Sequence, residues 1–221
     1  MFKIKICGIT SVQDALAVAD AGADAIGLNF YAKSPRRVDP AAAASITAAL
    51  PQRIVKVALF VNAEAAEVCR VSDQLAVDLI QLHGDEPPQY LAELGGRPTL
   101  RAFRLGADGL GPIIEYLDRC RQLGCLPRMT LIDSQVPGKY GGSGRPPDWG
   151  MAKQYPGAQG CPPLVLAGGL TPQNVAEAIG TVHPAAVDTA SGVESAPGIK
   201  DPAAVEAFVR AARDAFSASK S

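Results

Sequence analysis

A chain of 221 residues that is 48% hydrophobic, with a formal net charge of −1, carries apolar material for a sizeable core and no excess of either charge. That balance excludes a disordered chain and gives no basis for a nucleic-acid partner or an anionic membrane surface. Five cysteines, at 7, 69, 120, 125 and 161, lack the spacing of a disulfide framework or a zinc cluster and fit reduced thiols in the cytoplasm.

The N-terminal stretch MFKIKICGIT carries charges inside its apolar run, so it does not read as a signal peptide. No apolar run approaches membrane-spanning length. Lys3–Ile6 alternates as a first strand and leads into Cys7-Gly8. Thr10-Ser11-Val12-Gln13 has the form of a capping box. Val12, Ala15, Leu16 and Ala19 then repeat at helical spacing. Ala25–Phe30 is the second strand. After it, NFYAKSPRRV groups Lys33, Arg36 and Arg37 beside Tyr31, either as a solvated charge run or as a bidentate grip on a carboxylate. Asp39-Pro40 places a capping side chain before a proline at the first helical position.

Val55–Val61 and Leu79–Leu82 are the third and fourth strands. Asp24 and Asp78 stand where an aspartate caps the entrance to a strand. His83, just past the fourth strand, suits a structural histidine near the rim better than a general base. Leu100–Leu105 and Met129–Ile132 follow, and the sixth strand runs out through TLIDS, which sets Asp133 at its C-terminal end. The next loop, QVPGKYGGSGRPPDW, holds four glycines and reads as a hinged lid or as plain surface. Leu164–Ala167 and Ala185–Val187 complete eight strands, with His183 before the last, on the opposite face. Thr171-Pro172 and Asp201-Pro202 open the final helices, and Val205, Phe208, Val209 and Ala212 share one helix face.

Eight strand–helix units in this length predict an α/β fold, a single-domain (β/α)8 barrel over residues 1–216 with a frayed tail at 217–221. A doubly wound open sheet is the alternative. In such a barrel, reacting groups come from the C-terminal strand ends, and phosphate sits in the loops after strands 7 and 8. Those loops are AGGLTP and TASGVESAPG. Gly168-Gly169 let backbone N–H groups approach an anion, with a helix N-terminus at Thr171. Ser191-Gly192 add a hydroxyl and a permissive backbone before a short helix at Val193-Glu194. Two ordinary glycine turns are the other reading. No Walker loop is present, and GGSGRP lacks the third glycine of a dinucleotide loop. The expected ligand is a phosphorylated small molecule rather than a nucleotide cofactor.

KICGIT, GLNFYAKSPRRV, VALFVN, IQLHGDE, LIDS…GGSGRPPDW, LAGGLTPQNV and VDTASGVESAPGIKD together resemble phosphoribosylanthranilate isomerases of tryptophan biosynthesis, in order and over nearly the whole chain. The resemblance implies an Amadori rearrangement of N-(5-phosphoribosyl)anthranilate without cofactor or metal, by a monomer or a homodimer. It makes Cys7 the base and Asp133 the acid, and assigns the anthranilate carboxylate to Arg36. Phosphate falls to Gly168, Gly169, Ser191 and Gly192, the ribose hydroxyls to Asp188, and Gly142 joins the substrate-binding positions. Lys139 and Arg145 are left without a role.

Such a base needs its thiolate favoured, by backbone N–H groups or a cation such as Arg36, while the acid must hold a proton when it acts. Gly8 is expected to keep space clear beside the sulfur. The related isomerases of histidine biosynthesis resemble each other in an aspartate at the Cys7 position, and their substrate carries two phosphates, so Cys7 speaks against them. A non-catalytic phosphate-binding barrel, with Cys7 as a packing residue or redox sensor, is the rival of another class, and Cys7 and Asp133 together at matching rim positions speak against it.

Overall fold

Eight parallel strands pair in chain order and close on themselves, β8 returning to β1. They are β1 (Ile4–Cys7), β2 (Ala25–Asn29), β3 (Val55–Phe60), β4 (Leu79–Leu82), β5 (Thr99–Leu105), β6 (Met129–Ser134), β7 (Leu164–Leu166) and β8 (Ala186–Thr189). The helices between and after them are α1 (Val12–Asp20), α2 (Pro40–Ala49), α3 (Ala65–Gln74), α4 (Pro88–Glu93), α5 (Gly111–Gln122), α6 (Trp149–Ala152), α7 (Val175–Val182) and α8 (Pro202–Ala218). The computed structural model describes residues 1–134, 149–155 and 160–219. Gly142, Lys139 and Arg145 lie outside the described residues. Among these residues no helix is long and apolar enough to cross a membrane.

The barrel separates two apolar cores because successive side chains on a strand point to opposite faces. Ile4 and Ile6, Ile26 and Leu28, Ile80 and Leu82 point outward and pack with Val18 of α1, Ile46 of α2 and Phe208 of α8. The alternate residues fill the interior. Ala25, Val57, Leu79, Leu100, Leu131, Val165 and Ala186 form a second cluster that contains no helix residue, with Phe2 at its floor. Above that layer, toward the C-terminal strand ends, buried Lys5, Gln81, Asp133 and Asp188 make the interior polar. The change from apolar to polar along one face fixes which end of the barrel can do chemistry.

Strand entrances are capped as expected. The Asp24 carboxylate accepts from the N–H groups of Lys3 and Ile4 at 2.9 and 3.0 Å, and Asp78 accepts from Lys56 N–H at 2.8 Å. Asp39 and Asp201 cap α2 and α8, each with proline in the first turn. Two expected helix starts differ. Ser11, whose extended backbone lets its hydroxyl accept from Asp14 N–H, caps α1, while Thr10 donates to the Gly198 carbonyl at 2.6 Å. Near Thr171 the chain first makes a turn in which Asn174 Oδ1 accepts from Thr171 N–H, so α7 starts only at Val175. His183 ends α7 in a left-handed conformation, φ 53°, on the face away from the polar end. α8 continues past residue 216 to Ala218.

Past β8 lies a hairpin that apolar patterning does not reveal. A 3-10 turn, Ser191–Val193, leads into β9 (Glu194–Ala196), which pairs antiparallel with β10 (Ile199–Lys200). Ser191 therefore opens the short helix, and Glu194 belongs to a strand instead. The register places Lys200 opposite Glu194.

Candidate active site

Cys7 ends β1, and its inward neighbours follow from the strand register. Lys5 pairs across to Asp188 on β8 and Cys7 to Gly27 on β2. Lys5 is fully buried and donates from Nζ to Asp188 Oδ1 at 3.0 Å. Burial works against the lysine charge, yet Asp188 and Cys7 more than offset it and raise its pKa above the ordinary lysine value. Lys5 is thus held as a cation whose charge reaches the thiol.

Burial pushes the Cys7 thiol up; Lys5 and Lys200 pull against it, and Asp188 adds to the rise. The cation beside the sulfur is therefore Lys5, where the sequence suggests backbone N–H groups or a cation such as Arg36. A lysine two residues before the cysteine on an alternating strand shares its face. KIKIC nevertheless reads as polar-outward, because the helix layer that reverses the polarity lies elsewhere in the sequence.

Gly27, not Gly8, clears the space at the sulfur. A Cβ on Gly27 would stand 2.6 Å from Cys7 Sγ and 3.1 Å from Lys5 Nζ. Gly8 has φ 77°, and a Cβ there would meet Arg36 Cδ at 2.6 Å, so its bareness seats the arginine stem. Gly27→Ala is expected to displace the thiol and lower kcat by up to about 10²-fold, measured in a turnover assay with folding checked by circular dichroism.

Across the mouth, Asp133 is buried near the end of β6. His83 Nε2 lies 3.5 Å from Asp133 Oδ2, and His83 Nδ1 is 2.9 Å from Gln81 Nε2. With the Gln81 amide donating to Nδ1, the ring carries its proton on Nε2, facing the carboxylate. His83 is hydrogen-bonded at the rim, as a structural histidine would be, but it also faces the candidate acid. Asp188 joins the two sides. Burial raises its pKa, Lys5 and His83 oppose that rise, and Asp133 adds to it.

The loops after β7 and β8 interlock. Thr189 Oγ1 donates to the Leu170 carbonyl at 2.7 Å, and a Cβ on Gly192 would lie 1.9 Å from the same oxygen. Gly168 and Gly169 have φ of 87° and 60°, conformations that favour glycine. Gly192 thus lies against the residue that follows Gly169, while the nearest regular helix start is Val175 rather than Thr171.

Arg36 leaves a loop braced by Asn29, which accepts from Tyr31 N–H and donates to Ser34 Oγ. Its guanidinium grips Glu194: Nε is 2.9 Å from Oε1 and Nη2 is 2.7 Å from Oε2. Lys200 Nζ donates to Glu194 Oε1 at 2.7 Å, to Cys7 O at 2.7 Å and to Ala190 O at 3.2 Å. Burial would raise the Glu194 carboxyl, but Arg36 and Lys200 hold it below the usual glutamate range. Burial also takes Lys200 below an ordinary lysine, although Glu194 opposes this.

A depressed carboxyl contributes stability that is complete above the ordinary glutamate range and is lost as pH falls through its lower folded value. The urea midpoint of the wild type should therefore exceed that of Glu194→Gln at neutral pH, and the gap should close below about pH 4.

The family model described as N-(5'-phosphoribosyl)anthranilate (PRA) isomerase matches residues 4–211. The chain is 46% identical over 214 residues to the N-(5'-phosphoribosyl)anthranilate isomerase of Geobacter sulfurreducens, covering 96% of this chain and 99% of that one. Its fold is similar to the crystal structure of phosphoribosyl anthranilate isomerase from Thermotoga maritima, with a TM-score of 0.82 and 34% identity over 97% of this chain and 100% of that one. A second solved isomerase, in complex with reduced 1-(o-carboxyphenylamino)-1-deoxyribulose 5-phosphate, matches with a TM-score of 0.79 and 33% identity, covering 97% of this chain and 100% of that one.

Proposed function

Because the chain belongs to the N-(5'-phosphoribosyl)anthranilate isomerase family, we propose that the polar end of its barrel carries out the Amadori rearrangement of N-(5-phosphoribosyl)anthranilate by general acid–base catalysis. The observation that carries the mechanism is a buried thiol and a buried carboxylic acid on β1 and β6, at the end where barrel chemistry is done.

Asp133 gives its proton to the furanose ring oxygen. The C1–O bond then breaks, the ring opens, and the anthranilate nitrogen shares its electron pair with C1 as a protonated Schiff base. The Cys7 thiolate, formed beside the Lys5 ammonium, takes the proton from C2. The C–H electron pair becomes the C1–C2 double bond as the C1–N π pair returns to nitrogen, and the resulting enolamine loses its C2 hydroxyl proton and gains one at C1 to give 1-(2-carboxyphenylamino)-1-deoxyribulose 5-phosphate. His83 orients the acid. The Arg36 guanidinium takes the anthranilate carboxylate, Asp188 the ribose hydroxyls, and the backbone at Gly168, Gly169, Ser191 and Gly192 the phosphate. Five free cysteines suit work in the cytoplasm.

The test is turnover by the purified protein, followed as loss of substrate fluorescence. Conversion to the ketose is expected. A folded wild type without turnover would overturn the assignment and leave a phosphate-binding barrel in its place.

A further inference from the structure

We infer that Glu194 is a positioning residue for substrate recognition, turning the open end of Arg36 to the substrate's carboxylate. The inference rests on the reading that Arg36 takes that carboxylate. An arginine side chain has more rotamers than any single grip can use, so a binding arginine needs something to hold it. Here its stem lies against Gly8, one residue past Cys7, and the edge formed by Nε and Nη2 is taken by Glu194. Among the described residues Nη1 and the second hydrogen of Nη2 make no hydrogen bond, and the side chain is 14% exposed. This remaining edge has the geometry for a second bidentate grip.

Charge explains why a carboxylate beside the arginine does not cancel it. Glu194 also pairs with Lys200 at 2.7 Å, so the three side chains sum to one positive charge. Lys200 spends its ammonium on Glu194, Cys7 O and Ala190 O, with its side chain 1% exposed. The accessible positive charge is therefore the arginine's. Because Lys200 also holds Cys7 O, the carboxylate grip and the proposed base share one frame. The β9–β10 register, which sets Glu194 opposite Lys200, builds that frame.

The experiment compares N-(5-phosphoribosyl)anthranilate with N-(5-phosphoribosyl)aniline, which lacks the carboxylate, using wild type, Arg36→Met, Glu194→Ala and Glu194→Gln. Wild type should prefer the carboxylated substrate. Arg36→Met and Glu194→Ala should each erase about 10- to 100-fold of that preference, mainly through KM for the carboxylated substrate. Combining the two should add little to Arg36→Met alone. Glu194→Gln keeps an acceptor for Lys200 and should lose an intermediate share, which supplies a reading if the alanine variant does not fold.

Equal losses on both substrates in the Glu194 variants would overturn the inference and leave Glu194 a structural role. So would an unchanged preference in Glu194→Ala, or in Glu194→Gln where the alanine variant does not fold, alongside a lost preference in Arg36→Met. If Arg36→Met keeps the preference, the carboxylate reading of Arg36 fails first and takes the inference with it.

Discussion

Cys7→Ser is expected to lower kcat by roughly 10²- to 10⁴-fold with little change in KM. The two side chains are nearly the same size, and Gly27 already leaves the space that the larger sulfur occupies. What changes is the ease of ionisation. The Lys5 ammonium can favour a thiolate, but it cannot bring an alcohol within reach of neutral pH. The wild-type pH profile should carry the same signature. Burial raises the thiol, so the thiolate fraction in the free protein grows as pH rises, and kcat/KM should climb through neutrality toward the alkaline side. A Cys7→Ser protein within about tenfold of wild type would remove Cys7 from the base role.

Asp133→Asn should cost a comparable factor, roughly 10² to 10⁴ in kcat, for a different reason. The amide fills the same buried space and can still meet His83, 3.5 Å from the carboxylate in the wild type. It has no acidic proton to give to the ring oxygen, so ring opening fails while binding persists. Single-turnover kinetics in which substrate binds at wild-type affinity but is not converted is the expected result. A variant that retains wild-type conversion would place the acid elsewhere.

The layout of the barrel was largely legible because each strand is a short apolar run between capped helices. Strand ends moved by a residue or two, as when β8 takes in Asp188 and Thr189 beyond the expected Val187. The groups placed by strand ends were equally legible, since Cys7 and Asp133 need only the strand and its direction.

What stayed hidden depends on partners far along the chain. Lys5 looks solvent-facing until the helices cover the outer face and reverse the polarity of the strand. Gly27 looks like any strand glycine until Cys7 lies beside it. Glu194 and Lys200 belong to a two-strand hairpin too short for a periodic signal, so the pairing of Glu194 with both Arg36 and Lys200 could not be read from spacing. Gly8 is adjacent to the sulfur's residue in sequence, whereas register makes Gly27 its spatial neighbour.

The Lys200 clasp has a consequence for the order in which the chain becomes competent. Its ammonium fixes the carbonyl of Cys7 across 193 residues of sequence and reaches Ala190 and Glu194 on its own side of the barrel. The strand that bears the thiol is made first, but its end is not pinned until the last hairpin has been synthesised and folded back. A nascent chain or a fragment that ends before Lys200 lacks the ammonium this corner is built on. Appearance of activity during refolding therefore reports closure of the last unit onto the first, and it should lag behind the recovery of helical signal.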